Sequence, residues 1–154
     1  MAKHSFFKLI ENRHSCRRFQ PKKVSVSKLG KVIYVARSAP SAGNLKAYAI
    51  TIVEEDTPRK KLAEAAFNQG FIAEAPQVLI FWSDTSRNSA KYDTRAGFYA
   101  IQDATIACSY AQLAAEALGL SSCWVGAFDE QEVTRAVGGS LFLQPIALLA
   151  IGYK

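Results

Sequence analysis

Val78-Leu79-Ile80-Phe81-Trp82 is an uninterrupted apolar run, bounded by Pro76 on one side and Asp84 on the other. With no polar residue to alternate, it reads as the central strand of a sheet. Outward from it, Tyr48–Val53 reads as a second strand, and 123–125 and 146–151 as two more. Helical patterns lie between them. Ser25 or Ser27 can cap a helix in which Leu29, Val32, Ile33 and Ala36 recur at helical spacing and which stops near Ala39-Pro40. Pro58 can open a helix carrying Leu62, Ala65 and Ala66, and Glu130–Val137 reads as a short helix ended by Gly138-Gly139. The class is mixed α and β.

The longest helical pattern covers 96–118. Gln102, Thr105, Ser109, Gln112 and Glu116 form one narrow polar stripe at spacings of three and four, and the rest is mostly small and apolar. A surface helix shows a wide polar face, so this one reads as buried on most sides, with alanines that let another helix approach closely. Part of that burial can come from a second subunit. Gln102, Asp103, Gln112 and Glu116 interrupt it too often for a lipid-exposed span, so no transmembrane segment is expected.

The chain has 154 residues, 49% of them hydrophobic and 21% charged, without repeats, low-complexity tracts or a Pro/Gly-rich linker. One domain over residues 1–154 is the expectation. Its net charge of +6 is unevenly spread: residues 1–61 hold 14 Lys/Arg against 4 Asp/Glu, and the remainder holds 5 against 9. Such asymmetry favours an anionic ligand, whether nucleic acid, an acidic membrane surface or a phosphorylated cofactor. Cys16, Cys108 and Cys123 form no CxxC pair, and no secretory signal is evident, which predicts reduced thiols and a cytoplasmic location. Only His4 and His14 are available as imidazole ligands, so no metal site is expected.

Three segments carry possible chemistry. Arg13-His14-Ser15-Cys16-Arg17-Arg18-Phe19 packs three guanidiniums, an imidazole and a hydroxyl beside a short amphipathic helix with Phe6, Phe7 and Ile10. Guanidinium forks and a hydroxyl suit phosphate oxygens, while the flanking apolar residues would tether the segment to the core. A solvated basic surface is the plainer reading of such a run. Cations beside Cys16 would favour its thiolate, but a thiolate would repel a bound phosphate, so Cys16 reads as a packing residue. The turn Ala39-Pro40-Ser41-Ala42-Gly43-Asn44-Leu45-Lys46 is built of small residues and lets backbone approach a ligand. In Ser121-Ser122-Cys123-Trp124-Val125-Gly126-Ala127-Phe128 a strand ends at a glycine flanked by aromatics, where an aromatic ligand edge could rest. No GxxxxGKS/T loop, GxGxxG fingerprint or GxSxG elbow is present, which leaves no case for a P-loop, a Rossmann turn or a serine hydrolase.

Taken in order, these segments resemble the nitroreductase family of FMN-dependent oxidoreductases, together with Ala73-Glu74-Ala75-Pro76, Asp103, Leu118-Gly119-Leu120 and Pro145-Ile146-Ala147-Leu148-Leu149-Ala150-Ile151-Gly152-Tyr153. The resemblance spans nearly the whole chain. It implies an α+β fold, a three-layer α/β/α sandwich with a mostly antiparallel mixed sheet, in a homodimer holding two FMN molecules at the subunit interface. By this resemblance Arg13, His14, Ser15 and Arg17 would hold the phosphate and ribityl end. Pro40 and Ser41 would lie near the isoalloxazine, Asn44 would reach in from the partner, and Val125, Gly126 and Ala127 would border the ring. NADH or NADPH would deliver hydride through the flavin to a small-molecule acceptor such as a nitroaromatic or quinone, with no protein side chain as catalyst.

The chain departs from the family pattern in three places. Lys46-Ala47-Tyr48 stands where the family commonly has Gln-Pro-Trp, and Lys46 can donate to a flavin carbonyl but not accept. Lys154 could partly replace a basic residue that relatives carry on a later tail. The connection 83–95 is short, which predicts no inserted helices and an open site. Other flavin reactions, namely reductive dehalogenation, dehydrogenation or flavin breakdown, are alternatives within the resemblance. A nucleic-acid-binding module is a remote alternative, since no aromatic-interleaved basic groove is visible. No membrane partner is expected.

Overall fold

The computed structural model describes residues 5–154. Four strands, β1 (Tyr48–Val53), β2 (Gln77–Ser83), β3 (Ser121–Val125) and β4 (Gln144–Gly152), form one sheet in the order β1-β2-β4-β3. All three strand pairs are antiparallel. A single parallel bridge, Ser15 to Ser122, makes the sheet mixed. As the apolar run predicts, β2 is an inner strand, and every one of its residues is buried.

Helices cover both faces. On one, Leu79, Phe81, Leu149 and Ile151 pack against α2 (Val26–Ser38) and the long α6 (Ala96–Ala117). On the other, Val78, Ile80, Trp82 and Leu148 pack against α3 (Asp56–Ala65), α4 (Phe71–Glu74) and α7 (Glu130–Val137). This is the expected α/β/α sandwich. The remaining helices are the short α1 (Phe6–Asn12) and α5 (Ser89–Tyr92).

Local chemistry sets the boundaries. Ser25, not Ser27, caps α2, its Oγ accepting from the Lys28 N–H at 3.3 Å. Pro58 sits in the first turn of α3, where an N–H would have no intrahelical partner. α7 ends at Gly138 with φ 61°, and the Gly139 N–H donates to the Thr134 carbonyl at 2.8 Å, a glycine-based helix stop. The connection 83–95 is not plain loop: it winds into a 3-10 turn (Thr85–Arg87), α5 and another 3-10 turn (Asp93–Arg95). The expected tether through α1 is also corrected. No residue of α1 is buried, with Phe6 64% and Phe7 74% exposed, and the basic segment is held instead by Cys16 and Phe19.

One buried carboxylate positions the loop ahead of β1. Asp103 of α6 is 2% exposed; its Oδ1 accepts from the Ala42 N–H at 3.0 Å and its Oδ2 from the Ala47 N–H at 3.2 Å. Between these anchors Gly43, Asn44 and Lys46 all take positive φ, at 58°, 57° and 48°. The two non-glycine residues pay about 1 kcal/mol each for that backbone, which the charge-assisted anchors offset. Gly43 has a second reason: a Cβ there would lie 2.5 Å from the Tyr92 hydroxyl oxygen.

Replacing Asp103 by Ala strands two backbone donors, so we expect about 3 kcal/mol lower unfolding free energy in urea, with Asp103→Asn recovering part of it. Gly152→Ala would place a Cβ 2.6 Å from Pro76 Cδ and 3.1 Å from Phe19 Cδ1. A loss of about 1–3 kcal/mol in the same measurement is expected, and an unchanged midpoint would show that β4 can shift away.

Candidate functional site

The basic segment lies along the open edge of β3. Ser15 bridges Ser122, and the Cys16 N–H donates to the Ser122 carbonyl at 2.9 Å. Further on, the Gln20 N–H donates to the Tyr153 carbonyl at 2.9 Å and Gln20 Nε2 to the Lys154 carbonyl at 2.7 Å. The strap therefore joins the ends of β3 and β4. Cys16 turns inward and its thiol donates to the Arg18 carbonyl at 3.0 Å, as a packing residue would. Ser15 and Arg17 are exposed and Arg13 is half-buried.

Burial pushes the Cys123 thiol up, while the Arg17 guanidinium and the Ser15 side chain pull against it. Arg17 also stands 5.9 Å from the centre of the Phe71 ring. His14 bonds through Nδ1 to the Asn12 carbonyl at 3.0 Å. A carbonyl only accepts, so Nδ1 carries the proton and Nε2 is free for a ligand. Lys154 is exposed beside this segment.

Val125 is buried at the end of β3, and Gly126 and Ala127 emerge exposed beyond it. Ser122 and Gly126 are four positions apart on this edge, roughly 13 Å. An edge of that length, cationic at one end and bare backbone at the other, suits an elongated ligand with a phosphate and a planar ring. Arg13, Ser15 and Arg17 supply permanent donors for a dianion, so the donor set fits such a group.

The second half of the sequence-predicted site is elsewhere. Pro40 and Asn44 are exposed, and the Ser41 Oγ accepts from the Lys46 N–H at 3.0 Å, which turns the loop into β1. Tyr48 is level with Ser83, whereas Ser122 is level, through Ile151, with Gln77 at the other end of β2. With β1 and β3 three strand spacings apart, Ser122 and Tyr48 lie at diagonal corners of the sheet, roughly 25 Å from each other, while Val125, level with Ile80 and Thr51, lies roughly 15 Å from β1 across the sheet. One chain gathers Arg13, His14, Ser15, Arg17, Val125, Gly126, Ala127 and Lys154 along one edge. Pro40, Ser41, Asn44 and Lys46 stay at the other.

Sequence reasoning missed two features. The pairing of Ser15-Cys16 with Ser122-Cys123 joins residues more than a hundred positions apart, and no local pattern announces it. Arg37 and Arg87 line one cavity with Lys46, although nothing but their charge marked them. Among the described residues no helix is long and apolar enough to cross a membrane.

Comparison with known proteins identifies the family of the fold. A Thermus thermophilus protein named NADH dehydrogenase is 30% identical over 169 aligned positions, covering 92% of this chain and 82% of that protein. A Bacillus subtilis FMN reductase of the NAD(P)H type is 28% identical, covering 95% of this chain but 64% of its own length. Among solved structures, NfrA2 of B. megaterium superposes with a TM-score of 0.87 at 28% identity over 96% of this chain and 65% of that one. A nitroreductase family protein of Clostridium novyi NT gives 0.86 at 25% identity over 97% and 85%. The sequence model described as Nitroreductase family matches residues 10–76 and 63–153, and with almost the whole chain so accounted for, this protein belongs to the nitroreductase family.

Proposed function

We propose that the chain is an FMN-dependent NAD(P)H oxidoreductase, active as a homodimer, that reduces a small acceptor such as a nitroaromatic or quinone. The observation that carries this reading is the separation of the two half-sites. A cationic β3 edge and a small-residue loop on β1, on the two opposite outer strands of one sheet, form a single site only when a second copy brings its loop to the first copy's edge. Apolar surface for that contact exists: Phe98, Ile101 and Tyr110 of α6 and Phe6, Phe7 and Ile10 of α1 are exposed, and α1 packs on α6.

Within the dimer each residue has a defined task. Arg13 and Arg17 hold the FMN phosphate through guanidinium forks, Ser15 donates its hydroxyl, and His14 accepts from a ribityl hydroxyl through Nε2. Lys154, fixed next to Gln20, adds positive charge at the same end. Val125, Gly126 and Ala127 border the ring with backbone, and Pro40, Ser41 and Asn44 of the partner copy close it from the other side. Lys46, on the same loop, lines the adjoining cavity with Arg37 and Arg87. FMN, when bound, would supply the hydride-transfer chemistry between NADH or NADPH and the acceptor. The chain's own residues bind and orient the reactants, with no side chain acting as acid, base or nucleophile.

Relatives support the coarse reading: those named above include an FMN reductase, and others of 24–28% identity carry the name NADH dehydrogenase/NAD(P)H nitroreductase. Purified protein supplied with FMN should be yellow and bleach anaerobically on addition of NADPH or NADH. A chain that takes up no FMN overturns the proposal. Arg13→Ala and Arg17→Ala should each weaken FMN retention about ten- to a hundredfold, the loss expected for one charge-assisted contact. Phe98→Asp should shift the protein from dimer to monomer in sedimentation and release FMN with it. A monomer that keeps FMN would refute the shared site.

A further inference from the structure

A cavity of about 590 Å³ opens beside β1, lined by Arg37, Lys46, Tyr48, Ala49, Ile50 and Arg87. Three of its six lining residues are cations and none is a carboxylate. A smaller cavity of about 480 Å³ on the opposite face sets Lys61 and Arg135 among Glu64, Asp129 and Glu132, so carboxylates outnumber cations there. The β1 cavity has no carboxylate in its lining.

Its neighbouring acids are occupied. Asp84 pairs with Arg87 Nε at 2.9 Å and also accepts from the Ser86 N–H at 3.1 Å and the Ser86 hydroxyl at 2.5 Å. Burial works against the Asp84 charge, but the hydrogen bonds from Ser86 and Arg87 outweigh it and hold its carboxyl below the usual range. Both oxygens of Asp103 are taken by backbone N–H groups. Arg37 and Lys46 have no ion-pair partner among the described residues. Arg37 stands in the last turn of α2, whose carbonyl end offsets only about half a charge. The Tyr48 hydroxyl is turned away, donating to the Ala36 carbonyl at 3.3 Å. Burial raises the Tyr48 phenol, with Arg37 and Arg87 pulling it down and Asp103 pushing it up.

Two unpaired cations and a third with spare N–H donors, beside the open edge of an outer strand, call for a compact multivalent anion. We propose that this cleft is a phosphate site and that it takes the 2′-phosphate of NADPH, which makes the chain prefer NADPH to NADH. A phosphate monoester carries close to two charges at neutral pH and offers three acceptor oxygens, matching guanidinium forks and an ammonium. NADH presents a neutral hydroxyl at the same place and leaves the cations unpaired. The inference rests on the reading that a pyridine nucleotide visits the ring bordered by loop 40–46, because Lys46 belongs to that loop and to the cleft alike.

The test is calorimetric binding of three probes to the FMN-supplied full chain: adenosine 2′,5′-bisphosphate, AMP and inorganic phosphate. Adenosine 2′,5′-bisphosphate should bind at least tenfold tighter than AMP, weaken steeply with salt, and lose at least tenfold in Arg37→Ala, with Arg37→Lys recovering part. Arg37 is exposed, and Arg37→Gln serves as a second neutral variant should the alanine protein unfold. Equal binding of the bisphosphate and AMP, or a bisphosphate affinity that ignores the loss of Arg37, overturns the proposal. Inorganic phosphate bound in an Arg37-dependent way without the bisphosphate assigns the cleft to free phosphate and overturns the nucleotide assignment. The 450 nm flavin absorbance of the same wild-type sample is read separately. Its absence sinks the oxidoreductase reading whatever the probes do, while a yellow protein without bisphosphate preference sinks this inference alone.

Discussion

The inner strand pair β2–β4 is almost wholly buried, and the architecture follows from that burial. Strands without a solvent-facing side need an apolar layer above and another below, which α2 with α6 and α3 with α4 and α7 provide. Nothing polar can work in the middle of such a sheet. Ligand chemistry is displaced to its outer strands, and there the cationic segments are found: Arg13, Arg17 and Lys154 around β3, and Arg37, Lys46 and Arg87 around β1. The charge asymmetry of the sequence thus becomes a spatial pattern on the edges of the sheet.

Each edge is built by a different device. At β3 the strap is added as backbone pairing, so its side chains are presented by an extended chain whose inward residue, Cys16, packs while Ser15 and Arg17 face out. At β1 the loop follows no regular pattern, and its positive-φ residues persist because the buried Asp103 carboxylate fixes both ends. A buried carboxylate is tolerable only when its charge is met by donors, and here the donors are the two N–H groups that the loop must orient. Loop geometry and the burial of Asp103 are therefore one fact seen from two sides.

Much of the fold was legible because its signals are local. The bounds of β1 and α7 coincide with those read from Tyr48–Val53 and Glu130–Val137, where an apolar run and a glycine stop act within a few residues. The narrow polar stripe of α6 marked a helix with a broad apolar surface, of which Ala100, Ala104, Ala107, Cys108 and Ala111 are buried within the chain while Phe98, Ile101 and Tyr110 are exposed. Signals that depend on distant partners were not legible. Ser25 and Ser27 are equal candidates as caps in sequence, and only the direction of chain entry separates them. Phe6, Phe7 and Ile10 have the spacing of a core-facing helix, yet all three are exposed among the described residues, because periodicity reports an apolar face without naming what lies against it. Candidate site residues were located by order and resemblance, but their division between the two outer edges of the sheet is a property of strand order that no motif encodes.

That division has an electrostatic consequence under the proposed dimer. Bringing the β1 loop of one copy to the β3 edge of the other sets Lys46 near the field of Arg13, Arg17 and Lys154. Like charges meeting at a partly desolvated contact oppose assembly, and the apolar surfaces of α1 and α6 would have to overcome them unaided. A dianionic phosphate between the two edges changes the sign of the problem, because each cation then faces an anion. Binding and association become linked: whatever free energy the phosphate gains only from the assembled site is returned as dimer stability. On this argument the excess of positive charge in the first 61 residues is unfavourable in the empty monomer and turns favourable only when ligand and partner are present together.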